Sequence, residues 1–146
     1  MEAVAFTDSG HHDFAMVDFY AADCGHCHQF APVWAKASQG SSLPLNWETK
    51  ECYGPGWSHG KAFDLCKDLN VTRFPTVKLV QFDHAGHPVN SWDFNGSRTA
   101  QSLEDFANER LHAVGNIMQQ SMDPLLSLLS FIKPRYCHRQ SLAAFL

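Results

Sequence analysis

Phe14-Ala15-Met16-Val17-Asp18-Phe19-Tyr20-Ala21-Ala22-Asp23-Cys24-Gly25-His26-Cys27 is the stretch on which the fold turns. Phe14 to Tyr20 is a compact apolar run with one acid, Asp18, and reads as a buried central strand of the kind parallel sheets use. Ala21 to Asp23 is the turn out of it. A helical pattern then runs from Cys24 to about Gln39, with Phe30, Val33, Trp34 and Ala37 on one face and Pro32 expected to kink it. A Cys-x-x-Cys therefore stands at a helix start, directly after a strand.

That placement has chemical content. At i and i+3 on one turn, two sulfurs are close enough to join. The first, Cys24, sits where free backbone N–H groups and the helix dipole favour an anion, which makes it the thiolate attacker. Cys27, more buried, would attack the mixed disulfide and release product. His26 between them can add a positive charge or a hydrogen bond that favours the thiolate. Asp18 is costly inside an apolar strand unless it is satisfied or works. Desolvation would raise its pKa and suit it as proton acceptor for Cys27; a solvated acid on an edge strand is the plainer alternative. Phe74-Pro75-Thr76 opens a later strand with a residue that cannot donate to the ladder. A cis bond there would bring its backbone near the sulfurs and offer edge groups to an extended substrate, whereas an ordinary trans proline would only start the strand.

Outward from this centre, the pattern predicts strands at Val4–Phe6, Leu45–Glu51, Thr76–Phe82 and Val89–Phe94. It predicts helices over Ser58–Leu69, with Asn70 as a stop, and over Thr99–Ala113. Strands alternating with helices, then a closing hairpin, indicate an α/β fold: a mixed central β-sheet with helices on both faces. From residue 114 to 146 the character changes to an extension, a packing helix or a disordered linker, with Leu125–Ile132 densely apolar between Pro124 and Pro134.

The whole chain bounds the function. Its 146 residues suit one domain of 1–113 plus that extension, and 45% apolar content supports a core. Eleven Lys and Arg against 15 Asp and Glu give −4, which argues against nucleic acid as a partner. No apolar run approaches the length of a transmembrane segment. Met1 to Gly10 lacks a basic n-region and an apolar core, so no signal peptide is visible; the chain is then cytosolic or begins after its signal. Five cysteines, Cys24, Cys27, Cys52, Cys66 and Cys137, leave at least one unpaired within the molecule. Cys24-Gly-His-Cys27-His28 also matches the short haem-attachment pattern, but the flanking strand and the Phe-Pro-Thr do not belong to such folds; zinc on Cys24, Cys27, His26 or His28 is weaker still, since no second Cys-x-x-Cys exists, and no metal is expected.

Val17-Asp18-Phe19-Tyr20-Ala21, Cys24-Gly25-His26-Cys27, Phe30-Ala31-Pro32 and Arg73-Phe74-Pro75-Thr76, in that order, resemble a thioredoxin-fold domain of the protein disulfide isomerase family over roughly residues 3 to 113. Phe30-Ala31-Pro32-x-Trp34 and a second pair placed like Cys52 and Cys66 are closer still to the first redox domain of quiescin-type sulfhydryl oxidases. The resemblance implies a thiol–disulfide oxidoreductase acting by dithiol–disulfide exchange. It implies Cys24 as nucleophile, Cys27 as resolving cysteine, Asp18 as the buried acid and Pro75 as a cis-proline. Phe74, Pro75 and Thr76 would contact substrate, and Cys52–Cys66 would be a structural disulfide. The expected partners are protein thiols and disulfides. No cofactor is expected in this chain; FAD would enter only through a flavin-dependent oxidase partner or domain. The disulfide implies the secretory pathway, the endoplasmic reticulum lumen or outside the cell. A thioredoxin-like binding module with little turnover is the alternative.

Three departures from the family pattern bear on tuning. Asp23 replaces the usual Trp before the first cysteine, and its charge is expected to blunt attack by Cys24. His28 replaces a frequent Lys. The segment between the first two expected strands is short, which implies that the usual first helix is missing.

Overall fold

The computed structural model describes the backbone of residues 13–130 and side chains as far as residue 117. The expected strand Val4–Phe6, and Cys137, lie outside these residues. Four strands form one sheet: β1 (Phe14–Ala21), β2 (Asn46–Tyr53), β3 (Thr76–Phe82) and β4 (Pro88–Asp93), in the spatial order β2-β1-β3-β4. β1 runs parallel to β2 and antiparallel to β3, and β4 pairs antiparallel with β3. The sheet is thus mixed, and β1 is central, as its apolar run requires.

The alternation of β1 sorts the two faces. Ala15, Val17 and Phe19 point to one side, where they meet Cys52 of β2, Val80 of β3, Val71, and Cys66 of helix α2 (Phe63–Asp68). Asp18 points to the other side and lines a cavity with Cys27, Ala31 and Trp34 of helix α1 (Gly25–Gly40). Helix α3 (Ala100–Ser130) begins beside α1: Arg98, just before it, lies over the Phe30 ring at 5.9 Å. Helices therefore cover both faces of a thioredoxin fold.

α1 buries Cys27, Phe30, Trp34 and Ala37, which recur at helical spacing, while Val33 is only half-buried. Pro32 lies within it without ending it. α2 is shorter than its sequence pattern. Residues 58–62 do not join the helix because their donors go to β2: Gly60 N–H to Cys52 O at 3.0 Å and Ala62 N–H to Glu51 O at 2.9 Å. Gly60 is required there, since a Cβ would stand 2.5 Å from the Glu51 carbonyl oxygen. Asn70 ends the helix in the left-handed region (φ 54°), and Val71 N–H returns to Cys66 O at 2.8 Å.

α3 corrects the expected stop at Ala113. Thr99 Oγ1 accepts the Ser102 N–H at 3.2 Å at its start, and the helix runs on to Ser130, through Pro124. Between Ala113 and Pro124 the only breaker is Gly115, whose cost of about 1 kcal/mol relative to Ala is too small to end a helix. Leu103, Ala107 and Leu111 are its buried positions in the first compact unit, which closes at Leu111. Among the described residues no helix is long and apolar enough to cross a membrane.

Candidate active site

The end of β1 delivers Cys24 to the N-cap of α1. Its N–H bonds to Ala21 O at 3.2 Å, and its sulfur accepts the Cys27 N–H at 3.3 Å, so a thiol occupies the place an N-cap oxygen would take. Both cysteines are free thiols. Cys24 is 9% exposed and Cys27 6%, and both pack against Ala21 with Tyr20, Tyr53 and Phe74 around them.

Phe74 brings the third expected feature to the same place. The Phe74–Pro75 peptide bond is cis, and the Cys24 thiol lies 3.7 Å from Phe74 O, which accepts from it. Thr76 Oγ1–H donates to Arg73 O at 2.6 Å and tightens the approach to β3. Cys52 and Cys66 are joined by a disulfide, with Cα atoms 5.8 Å apart, inside the core on the α2 face.

Asp18 is 5% exposed, and its Oδ1 finds no hydrogen-bond partner among the described residues. Burial pushes its carboxyl up to about 7, against the opposing positive charge of Arg98. Cys27 is pushed up to about 12, chiefly by burial and next by its hydrogen bond with Cys24; a backbone bond with Ala21 works the other way, and the charges of Cys24 and Asp18 add to the rise. The second thiol thus keeps its proton, and the acid that shares its cavity changes state near neutrality.

His26 stands exposed on the first turn of α1. His28 Nε2–H donates to Ala22 O at 2.8 Å, tying the helix to the preceding turn. Asp23, directly before Cys24, is exposed. Its carboxylate is turned to the Gly56 N–H at 2.6 Å, in the loop after β2. That loop, Tyr53 to Trp57, packs the Tyr53 ring 5.7 Å from Phe74 and 5.9 Å from Trp57, so it forms one wall of the cysteine site.

Two participants were not picked out in the sequence: Arg98 and this loop. Arg98 follows Gly96-Ser97 at the start of α3, an ordinary turn on sequence grounds, and only the packing of α3 beside α1 brings its charge to bear on Asp18. The loop carried a visible Gly-Pro-Gly-Trp signal, but nothing in it named Asp23 as its partner.

The thioredoxin family model matches residues 4–109, and the chain belongs to the thioredoxin family. It is similar to a protein disulfide isomerase-like protein of Arabidopsis thaliana, 33% identical over 72% of this chain and 20% of that protein. It is similar to a mitochondrial thioredoxin domain-containing protein of Schizosaccharomyces pombe, 30% identical over 66% of this chain and 25% of that protein. Among solved structures, the J-Trx1 fragment of ERdj5 superposes with a TM-score of 0.54 at 26% identity, covering 67% of this chain and 41% of that one. The matched part of the chain thus corresponds to a quarter or less of these two curated relatives.

Proposed function

We propose that the chain is a protein thiol–disulfide oxidoreductase module working by dithiol–disulfide exchange at Cys24 and Cys27. One observation carries the reading: two free thiols share the first turn of α1, the outer one aimed at the Phe74 carbonyl and the inner one against a buried acid. Similarity to protein disulfide isomerases supports it.

In the reducing direction, the Cys24 thiolate attacks a substrate disulfide. A Cys24–substrate disulfide forms, and the first substrate sulfur leaves as a thiolate that takes up a proton. Asp18, as carboxylate, accepts the proton of Cys27; the Cys27 thiolate then attacks the Cys24 sulfur. The second substrate thiolate leaves, and the Cys24–Cys27 disulfide holds the two-electron oxidation. Oxidation of a substrate dithiol is the reverse. Atoms and electrons balance between the two sulfur pairs, so the step needs no bound cofactor. Restoring the starting state falls to a second thiol or disulfide partner, and a flavin-dependent oxidase is one class that would supply it. Phe74, Pro75 and Thr76 would hold an extended substrate beside Cys24. The Cys52–Cys66 disulfide favours an oxidising, secretory setting.

Insulin-disulfide reduction tests the proposal. The native chain should turn over, Cys24→Ala should be inactive, and Cys27→Ala should accumulate a mixed disulfide through Cys24. Equal rates for the native chain and Cys24→Ala would leave only a binding module.

A further inference from the structure

A cavity of about 500 Å³ opens beside Phe74 and Pro75, between the approach to β3, the end of β4 and Phe30 of α1. Its charge is unlike that of the chain. The molecule carries −4, yet three cationic side chains, Arg73, Lys78 and Arg98, line this cavity against one acid, Asp93. Asp93 is already taken, because the buried Lys78 ammonium donates to its carboxylate. Arg73 and Arg98 are exposed, and among the described residues neither forms an ion pair with a carboxylate.

Two guanidinium groups with no carboxylate ion pair among the described residues, that of Arg98 lying over the Phe30 ring, stand at the rim of a polar cavity; they are suited to a carboxylate, which their fork geometry can hold by paired hydrogen bonds. The distance from the chemistry is also suitable. The Cys24 thiol donates to the carbonyl of Phe74, a residue that lines the cavity, so a substrate sulfur joined to Cys24 begins beside that lining residue. An extended chain advances about 3.3 Å per residue, so a side chain roughly one to three residues from the substrate cysteine reaches the cavity.

We infer that this cavity is a specificity subsite for an acidic side chain next to the reactive cysteine of a polypeptide substrate, with Arg73 and Arg98 as its carboxylate-holding residues. The inference rests on the exchange chemistry proposed above and adds a substrate class to it.

The test uses the reduced full chain and three peptide homodisulfides that differ only in the residue pair flanking the cysteine: Glu, Gln or Lys. Each second-order rate is divided by the same peptide's rate with dithiothreitol, which removes the intrinsic effect of the flanking charge on the sulfur. At low salt the Glu peptide should react about fivefold faster than the Gln peptide, the scale of one favourable exposed charge pair, and the Lys peptide slower still. Near 1 M salt, where screening acts over about 3 Å, the order should collapse to within twofold. Arg73→Ser should lose most of the Glu-over-Gln advantage, and Arg73→Glu should favour the Lys peptide. Equal normalised rates for the three peptides, or a Glu advantage unchanged in Arg73→Ser, would overturn the subsite and leave the exchange reading standing. No reaction with any peptide would remove the exchange reading itself.

Discussion

The Asp23 carboxylate accepts a 2.6 Å hydrogen bond from the backbone N–H of Gly56, a residue 33 positions further along the chain. The bond joins the residue before Cys24 to a loop that is awkward to build. Gly56 and Trp57 both have positive φ, 68° and 59°, and for a tryptophan that conformation costs on the order of 1 kcal/mol. The Ala22 N–H to Tyr53 O bond at 2.8 Å anchors one end of this loop; Asp23 anchors the other.

Asp23→Ala should therefore loosen the loop before it touches the global fold. Hydrogen exchange should show the Gly56 amide losing protection, with its neighbours Tyr53 and Trp57 following. The bond is exposed, so the loss of stability by urea unfolding should stay at about 1 kcal/mol or less. An unchanged Gly56 exchange rate would mean that the loop holds itself.

Asp18 sets a second prediction, with opposite signs for stability and rate. Its carboxyl is raised from 3.8 to about 7, mainly by burial. Between these values the folded chain holds a proton that the unfolded chain has released, so stability falls as pH rises and levels off above about 7. Asp18→Asn abolishes that dependence. The variant should match the native chain near pH 3 and exceed it by up to about 4 kcal/mol at pH 8, measured by urea unfolding of the reduced proteins. The same variant should resolve the Cys24 mixed disulfide more slowly at pH 8, because Cys27 has lost its proton acceptor. Greater stability without slower resolution would confine Asp18 to a structural cost.

The parts of this site that were legible in the sequence are local. Phe14 to Tyr20 reads as a buried central strand, and a cysteine three residues before another at the next helix start puts both sulfurs on one turn. Asp18 could be singled out because an acid in an apolar run violates local patterning. Partners brought in by tertiary packing were not legible. Arg98 acts on Asp18 from 80 positions further along the chain, and the Gly56 N–H that holds Asp23 has no side-chain signature. The shortened α2 has the same cause: residues 58–62 fit a helical pattern, but β2 offers their N–H groups better-placed carbonyls. The continuation of α3 was not legible either: the character of the sequence changes from Val114 on, yet the helical backbone runs through that change to Ser130.

The Cys52–Cys66 bond closes a sequence separation of 14 and lies wholly within the core, against Phe19 and Val80. On the loop-entropy account, a closed loop of this size is worth about 3 kcal/mol. Cys52→Ala with Cys66→Ala should lower unfolding stability by roughly that amount, plus a small packing loss, while leaving Cys24 and Cys27 able to exchange. A double variant as stable as the native chain would show that the unfolded state gains little freedom from opening the loop.

The two thiols of the site should also separate under alkylation. Cys27 is raised from 9.0 to about 12, first by burial and then by its hydrogen bond with Cys24. A shift of that size leaves about a thousandfold less thiolate than an ordinary cysteine has in the same buffer, and only thiolate alkylates at a useful rate. Brief iodoacetamide treatment of the reduced chain at pH 8, followed by peptide mapping, should therefore find Cys27 almost unlabelled. In urea, where burial is gone, it should label like any free thiol. Raising the pH from 8 to 9 should speed its labelling in the folded chain about tenfold, since its thiolate fraction is still far from saturation. Labelling as fast in the folded chain as in urea would show that Cys27 is not held as a protonated thiol, and that resolution does not wait on a proton acceptor.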